Sequence, residues 1–491
     1  MKRTVKNLIV LLVIVIFAAA QHTWAEVTYH PELFEKLAQN QNAAPQIKNP
    51  EYRKMILKNG MVVYLAEDHD FPVVLLGGLI RWGRSQETTE TVGISDFMID
   101  MMNMGTRKYN EPELDRYKQL HAVNFRINSG DDNFTFSGNS LSDEKESLVS
   151  LAAEMLRRPK FKAKYLRRLK NEWRKSLIQQ KTKEDGLLDM YFYRNILKGH
   201  AYSFNNDLDL GLAGLDKITP QRLENYYQQS ILPNHTILFV YGDFTSNSME
   251  QLINRHFGNW AKKDVAPKGE TAQENQATYG QILLVNKPDA TQAKIKLGYQ
   301  FVAAEVFEAN LEERTAFEIG NRVFGGGDFE SYLMDRIRSQ KGYAYDISAN
   351  YFCSSLGGAY YITTSVKPDK ACETVATIKQ LMTDLKTGKQ KIGEMEVFKI
   401  INQQNAFSPE SYRFKETIIN NLIYNVEIKN RSANWLNQYI QAYNRVTAAK
   451  AQAAFAKYAF PEKIFTVIVG KPEVILPQFK EKGIAVTVVN N

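Results

Sequence analysis

The chain has 491 residues, 44% hydrophobic and 24% charged, with a formal net charge of +8. That length exceeds what one hydrophobic core usually serves, so two domains or more are expected. The composition is that of a globular protein and excludes a low-complexity or wholly disordered chain.

The first 25 residues read as a secretory signal peptide. MKRTVK is basic, and Leu8 to Ala20 is an unbroken apolar run of 13 residues. A membrane span needs roughly 20. Thr23 and Ala25 then suit a cut before Glu26. The alternative is an uncleaved anchor. Removing Lys2, Arg3 and Lys6 lowers the net charge from +8 to +5. No later run is long and apolar enough to span a bilayer, so no stable membrane span is expected after cleavage. The protein is expected to be exported, with the periplasm as its compartment. Residues 26–50 form a lead segment.

MILKNGMVVYLAED (55–68) reads as strand, Asn-Gly turn, strand, with Asn59-Gly60 as the hairpin signal. VVLLGGLIRWG (73–83) is another strand. GISDFMIDMMNMGT (93–106) starts an amphipathic helix. Phe97, Met98, Met101 and Met102 would face a core, while Asp96 and Asp100 stand one turn apart, where like charges repel. Long helical stretches follow at 143–158 and 164–180. The run RRPKFKAKYLRRLK (157–170) is strongly basic, but it lacks the aromatic interleaving of a nucleic-acid surface and reads as a solvated face. No nucleic-acid partner is expected.

A repeat organises the rest. ITPQRLENYYQQSILPNHTILFVYGD (218–243) aligns without a gap on VTAAKAQAAFAKYAFPEKIFTVIVGK (446–471). Thr219 matches Thr447, Pro233 matches Pro461 and Gly242 matches Gly470, all 228 positions apart. In each copy Thr caps a helix, Pro ends it, and a β-branched run closes at Gly. The chain is therefore two similar α+β halves, each a sheet with helices on one face. The expected boundaries are 51–262, a polar linker at 263–279, and 280–491. Cys353 and Cys372 are the only cysteines, and sequence alone leaves their pairing open.

The order of these elements, with LKNGMVVYL, the Gly105-Thr106 turn, PNHTILFVYGD and FGGGDFESYLMDRIRSQKGYAY (324–345), resembles the insulinase/pitrilysin family of zinc peptidases. The likeness is to its short two-domain bacterial type, related to the mitochondrial processing peptidase, and runs from about residue 50 to 475. The resemblance implies two homologous domains with mainly antiparallel sheets. Active members carry H-x-x-E-H on the first helix, two His for Zn²⁺ and a Glu that takes a proton from metal-bound water. Here those positions are Asp96, Ile99 and Asp100. The third ligand, a Glu on a later helix, falls near Ser176 and Leu177, with Glu172 and Glu184 the nearest acids. The resemblance thus implies no catalytic residue and no metal in this chain.

The second half keeps R-x-x-x-G-Y-x-Y as Arg338 to Tyr345. In the family these two side chains donate hydrogen bonds to substrate carbonyls. The short bacterial type works in pairs, one chain carrying H-x-x-E-H and zinc, the other the Arg/Tyr pair. The two close on an unfolded peptide. This chain resembles the second kind, a non-catalytic subunit of a heterodimeric zinc endopeptidase. Two other readings stand beside it. One is a peptide-binding scaffold without protease activity; the other is a hydrolase using another metal through Asp96 and Asp100.

Overall fold

A computed structural model describes residues 43–327 and 330–490. The expected signal peptide, 1–25, and residues 26–42 of the lead segment lie outside the described residues. No helix among the described residues is long and apolar enough to cross a membrane.

The first half places strands β1 (Arg53–Ile56), β2 (Val62–Glu67) and β3 (Val73–Ile80) before helix α1 (Ile94–Asn103). β4 (Asn124–Asn128), β5 (Phe134–Leu141) and helices α2 (Lys145–Arg157), α3 (Ala163–Lys181) and α4 (Glu184–Ile196) follow. Helix α5 (Pro220–Ser230), β6 (Thr236–Gly242) and α6 (Ser246–Phe257) close it. The second half repeats the plan with β7 (Ile282–Asn286), β8 (Ala293–Phe301), β9 (Ala344–Ser354) and β10 (Gly357–Val366). Then come α7 (Ala371–Lys386), α8 (Glu394–Ser411), α9 (Lys415–Ile423), α10 (Ala448–Tyr458), β11 (Phe465–Gly470), α11 (Pro472–Glu481) and β12 (Thr487–Asn490).

Each half builds one six-stranded sheet, in the orders β1-β2-β6-β3-β5-β4 and β12-β7-β11-β8-β10-β9. Position by position the two orders correspond, and β6 and β11, the duplicated strands, both lie inside their sheets. The outermost pair differs. β1 runs antiparallel to β2 through the Asn59-Gly60 turn, whereas β12 comes from the chain end and pairs parallel with β7. Both sheets are mainly antiparallel, with β2–β6 and β7–β11 as further parallel pairs. The predicted Thr caps form: Thr219 Oγ1 accepts from the Arg222 N–H at 3.2 Å and Thr447 Oγ1 from the Lys450 N–H at 3.3 Å.

Helices do cover one face of each sheet, but the other face is not left to water. On the first sheet Val62, Tyr64, Leu79, Ile237 and Phe239 pack against Ile419, Leu422 and Ile423 of α9, from the second half. On the second sheet Phe192 of α4, from the first half, lies against Phe465 and Tyr361, with ring centroids 6.4 and 6.3 Å apart. α4 and α9 are themselves repeat mates near the same 228-residue offset, so the halves exchange one helix reciprocally. The cause is legible in the strands. TILFVYG and FTVIVG are continuous apolar runs, which need both faces covered.

The segment expected as a linker is stapled to both halves. Asn234 Nδ2 donates to the Lys263 carbonyl at 3.0 Å, and the Ala272 N–H donates to the Leu356 carbonyl at 2.7 Å. Gln300 Nε2 donates to the Ala272 carbonyl at 2.8 Å. Cys353, on β9, and Cys372, at the start of α7, are both free thiols.

Candidate functional site: a carboxylate pair closed by arginine

Helix α1 begins at Gly93, whose φ of 78° puts it in the left-handed region and which has no side chain to cap the helix. The cap comes from Glu87. Its carboxylate accepts the Gly93 N–H at 2.8 Å and the Ser95 N–H at 2.9 Å. A carboxylate there satisfies free donors and meets the positive end of the helix dipole. Phe97, Met98, Met101 and Met102 enter the core as their spacing predicts.

Asp96 is buried too, and Arg84 explains why it can be. The Arg84 guanidinium meets Asp96 at 3.1 Å and Asp131, in the β4–β5 loop, at 2.9 Å. Arg84 sits in a short helical turn after β3 that docks on this loop, with its N–H donating to the Gly130 carbonyl at 2.9 Å. A Cβ on Gly83 would come within 2.2 Å of the Asp131 carbonyl oxygen, so only glycine allows this approach. Burial pulls the Arg84 pKa down, but Asp96 and Asp131 more than offset it and the net shift is upward. Ser95 Oγ lies 3.0 Å from the Tyr226 hydroxyl of α5, which also accepts the Trp82 indole N–H at 3.1 Å.

Asp100 is partly exposed. Burial raises its pKa, a hydrogen bond from Trp173 opposes this, and Asp96 adds repulsion. Trp173 of α3 meets α1, its ring tilted against that of Phe97 with centroids 4.8 Å apart. Ser176, where the resemblance places the third ligand, is exposed, Leu177 is buried, and Glu172 pairs with Arg168 at 3.8 Å. Ile99, at the position of the base, is buried hydrocarbon.

These residues do not fit the zinc of the enzymes the sequence resembles. A guanidinium already neutralises one carboxylate at the metal position, and an indole faces the other. Among the described residues no three His, Cys, Asp or Glu side chains converge to hold a metal ion. Sequence reasoning found Asp96, Ile99 and Asp100 but missed Arg84, Glu87, Asp131, Trp173 and Tyr226. The only local signal was Arg84 beside a glycine at the end of a strand.

The network carries a pH dependence. Burial, with repulsion from Asp96, pushes the Glu87 pKa from 4.5 up to about 7 against its two backbone bonds. A carboxyl whose folded pKa exceeds its unfolded value binds its proton more tightly when folded. Stability from this site is therefore greatest below pH 4.5 and is lost as pH rises through about 7. The size is on the order of 3 kcal/mol. Thermal melts between pH 5 and 8 should show the decline in the native chain and lose it in Glu87→Gln. An unchanged slope in the variant would assign the titration elsewhere.

The other two expected site residues meet in the second half. Gly342, at φ 63°, turns the Met334–Gln340 segment into β9, with its N–H donating to the Arg338 carbonyl at 3.0 Å. The Arg338 guanidinium then lies 5.0 Å from the centroid of the Tyr345 ring. Tyr345 is 79% exposed, on the edge strand of its sheet. Tyr343 and Lys341 both bind Glu373, at 2.8 and 2.6 Å, which fixes the turn from behind.

Comparison with known proteins gives a consistent family. Residues 62–203 match the model of insulinase, peptidase family M16, and residues 217–403 that of the peptidase M16 inactive domain. An uncharacterized zinc protease of Rickettsia felis is 22% identical over 417 residues, 84% of this chain and 90% of that one. A non-peptidase homolog of Helicobacter pylori is 20% identical over 330 residues, 66% and 72% of the two chains. The crystal structure of a peptidase M16 inactive domain from Pseudomonas fluorescens superposes with a TM-score of 0.76. It is 19% identical and covers 86% of this chain and 98% of that one.

Proposed function

The chain belongs to the insulinase (M16) family, and from that premise we propose that it is the non-catalytic subunit of an exported, periplasmic heterodimeric zinc endopeptidase. Its own metal position is degenerate. The observation that carries the reading is the contrast between the halves. Asp96 is held by Arg84 inside the first, while Arg338 and Tyr345 stand together beside the open edge of the second. In this reading zinc and the general base belong to the partner, an insulinase-family chain carrying H-x-x-E-H. This chain supplies half of the chamber and two donors for the carbonyls of an unfolded peptide. A fixed cation and a phenol hydroxyl are suited to that work, because both donate hydrogen bonds. The signal peptide expected at 1–25 supports export.

A gentle pull-down of the tagged mature chain from its own cell envelope tests the pairing. The expected result is a stoichiometric partner carrying H-x-x-E-H. If the chain emerges alone or with itself, the subunit reading falls and the family member is a stand-alone peptide-binding protein. With the complex in hand, Arg338→Ala should leave assembly intact and lower peptide turnover by roughly tenfold or more, as loss of one oriented donor does. Full activity of that complex would remove Arg338 from the chemistry.

A further inference from the structure

We propose that the first half carries a phosphate-binding site, apart from the α1 cluster and independent of the subunit reading. A polar cavity of about 230 Å³ opens where the C-terminal ends of α2 and α6 meet the loop before the helix Glu111–Leu120. Lys108, Arg157, Arg158, Arg255 and His256 line it, and Glu154 is the one carboxylate on its wall. Four fixed positive charges thus face a cavity large enough for one or two phosphate groups.

Internal partners orient these groups, and two carboxylates, Glu154 and Glu146, offset part of their charge; Glu154 also accepts the Lys108 N–H at 3.1 Å. Arg157 donates to the His256 carbonyl and, at 2.7 Å, to Asn259 Oδ1, which fixes its plane. Its Nε is buried with no hydrogen-bond partner, and so is Nε2 of His256. Arg158 reaches Glu154 only at 3.7 Å. Arg255 pairs with Glu146 at 2.8 Å, where both side chains are more than half exposed and the pair is weak. Both nitrogens are sealed from solvent, so an anion in the cavity would meet the exposed side chains of Lys108, Arg158 and Arg255 instead. Burial and neighbouring arginines also lower the pKa of both Arg157 and His256. An anion relieves that crowding.

The geometry favours phosphate over a carboxylate. One carboxylate occupies one guanidinium fork, whereas a phosphate group presents three or four acceptor oxygens to donors arriving from several elements. The cavity also heads the acid-free run 157–170, whose eight Lys and Arg residues begin with Arg157 and Arg158. The ligand is therefore a phosphate or diphosphate group, free or carried on a lipid headgroup.

Titration calorimetry of the mature chain with inorganic pyrophosphate, at constant ionic strength in chloride, tests the site. We expect saturable one-to-one binding that weakens by about tenfold or more in Lys108→Ala/Arg255→Ala, since charge-assisted hydrogen bonds dominate such sites. Arg157 is left alone in that variant because it holds the end of α6. No saturable binding, or equal binding by the variant, would overturn the proposal. Co-sedimentation with phosphatidylcholine vesicles, with and without phosphatidic acid, then separates the sources. Capture that needs both phosphatidic acid and the two side chains assigns a lipid headgroup. Pyrophosphate binding without capture assigns a soluble anion.

Discussion

Arg84→Met is expected to destabilise the fold by about 3–5 kcal/mol, because it leaves Asp96 as a buried charge without its counterion. The side chains of Arg84 and Asp96 are only 21% and 11% exposed, so water cannot replace the lost partner. Glu87 is close enough to repel the stranded carboxylate. The loss extends beyond one ion pair, since Arg84 also ties the end of β3 to Asp131. Urea melts of the two proteins measure it as a fall in midpoint. Adding Asp96→Leu to Arg84→Met should recover most of the stability, because a buried ion pair and an apolar pair of similar volume are often near equal. That rescue separates a charge effect from simple loss of packing. A single variant within about 1 kcal/mol of the native chain, a typical surface effect, would mean that Asp96 is hydrated despite its burial.

The difference between what the sequence disclosed and what it hid follows from distance along the chain. The α5–β6 and α10–β11 units were legible because cap, helix, proline and strand are local, and two copies remove ambiguity. The Asn59-Gly60 hairpin was legible for the same reason. Arg338 and Tyr345 were singled out through the resemblance and its R-x-x-x-G-Y-x-Y motif, and the turn at Gly342 brings the two side chains together. Arg84 was not, because its value depends on Asp96 and on Asp131, 47 residues away, meeting at one point. The exchanged helices were hidden although a trace of them was present. α4 buries Leu187, Leu188, Met190, Phe192, Tyr193 and Ile196, and apolar residues on more than one side mark a helix enclosed from several directions. What encloses it is a sheet some hundred or more residues later, which no local period encodes. Trp173 was hidden because the helix register pointed to Ser176 and Leu177, and the side chain that reaches α1 lies about one turn earlier.

The exchange has its own energetic signature, and the expected result is an asymmetry. Asp185 and Asp189 of α4 pair with Lys294, at 2.6 Å, and Lys296 of β8. Four residues of helix rise about 6 Å. Two residues of strand rise about 6.6–6.8 Å. The two acids and the two lysines therefore stay in step, and the charges fix how the helix lies along the strand. The partners are unequally placed. The Lys296 side chain is 6% exposed, with its ammonium over the rings of Tyr361, Tyr193 and Phe192 at 4.7, 5.0 and 5.7 Å, whereas Asp189 is 41% exposed. Removing Asp189 strands a buried cation that only ring faces can stabilise. Removing Lys296 leaves a carboxylate that water already reaches. Asp189→Ala should therefore cost about 2–4 kcal/mol, the low side of a fully buried pair because solvent screens the acid. Lys296→Met, which keeps the chain's length and packing, should cost under about 1 kcal/mol. Urea melts of both variants read the difference directly. Equal losses would mean that the pair acts by packing alone. A larger loss for Lys296→Met would mean that the ring contacts, rather than the carboxylate, hold α4 against the second sheet.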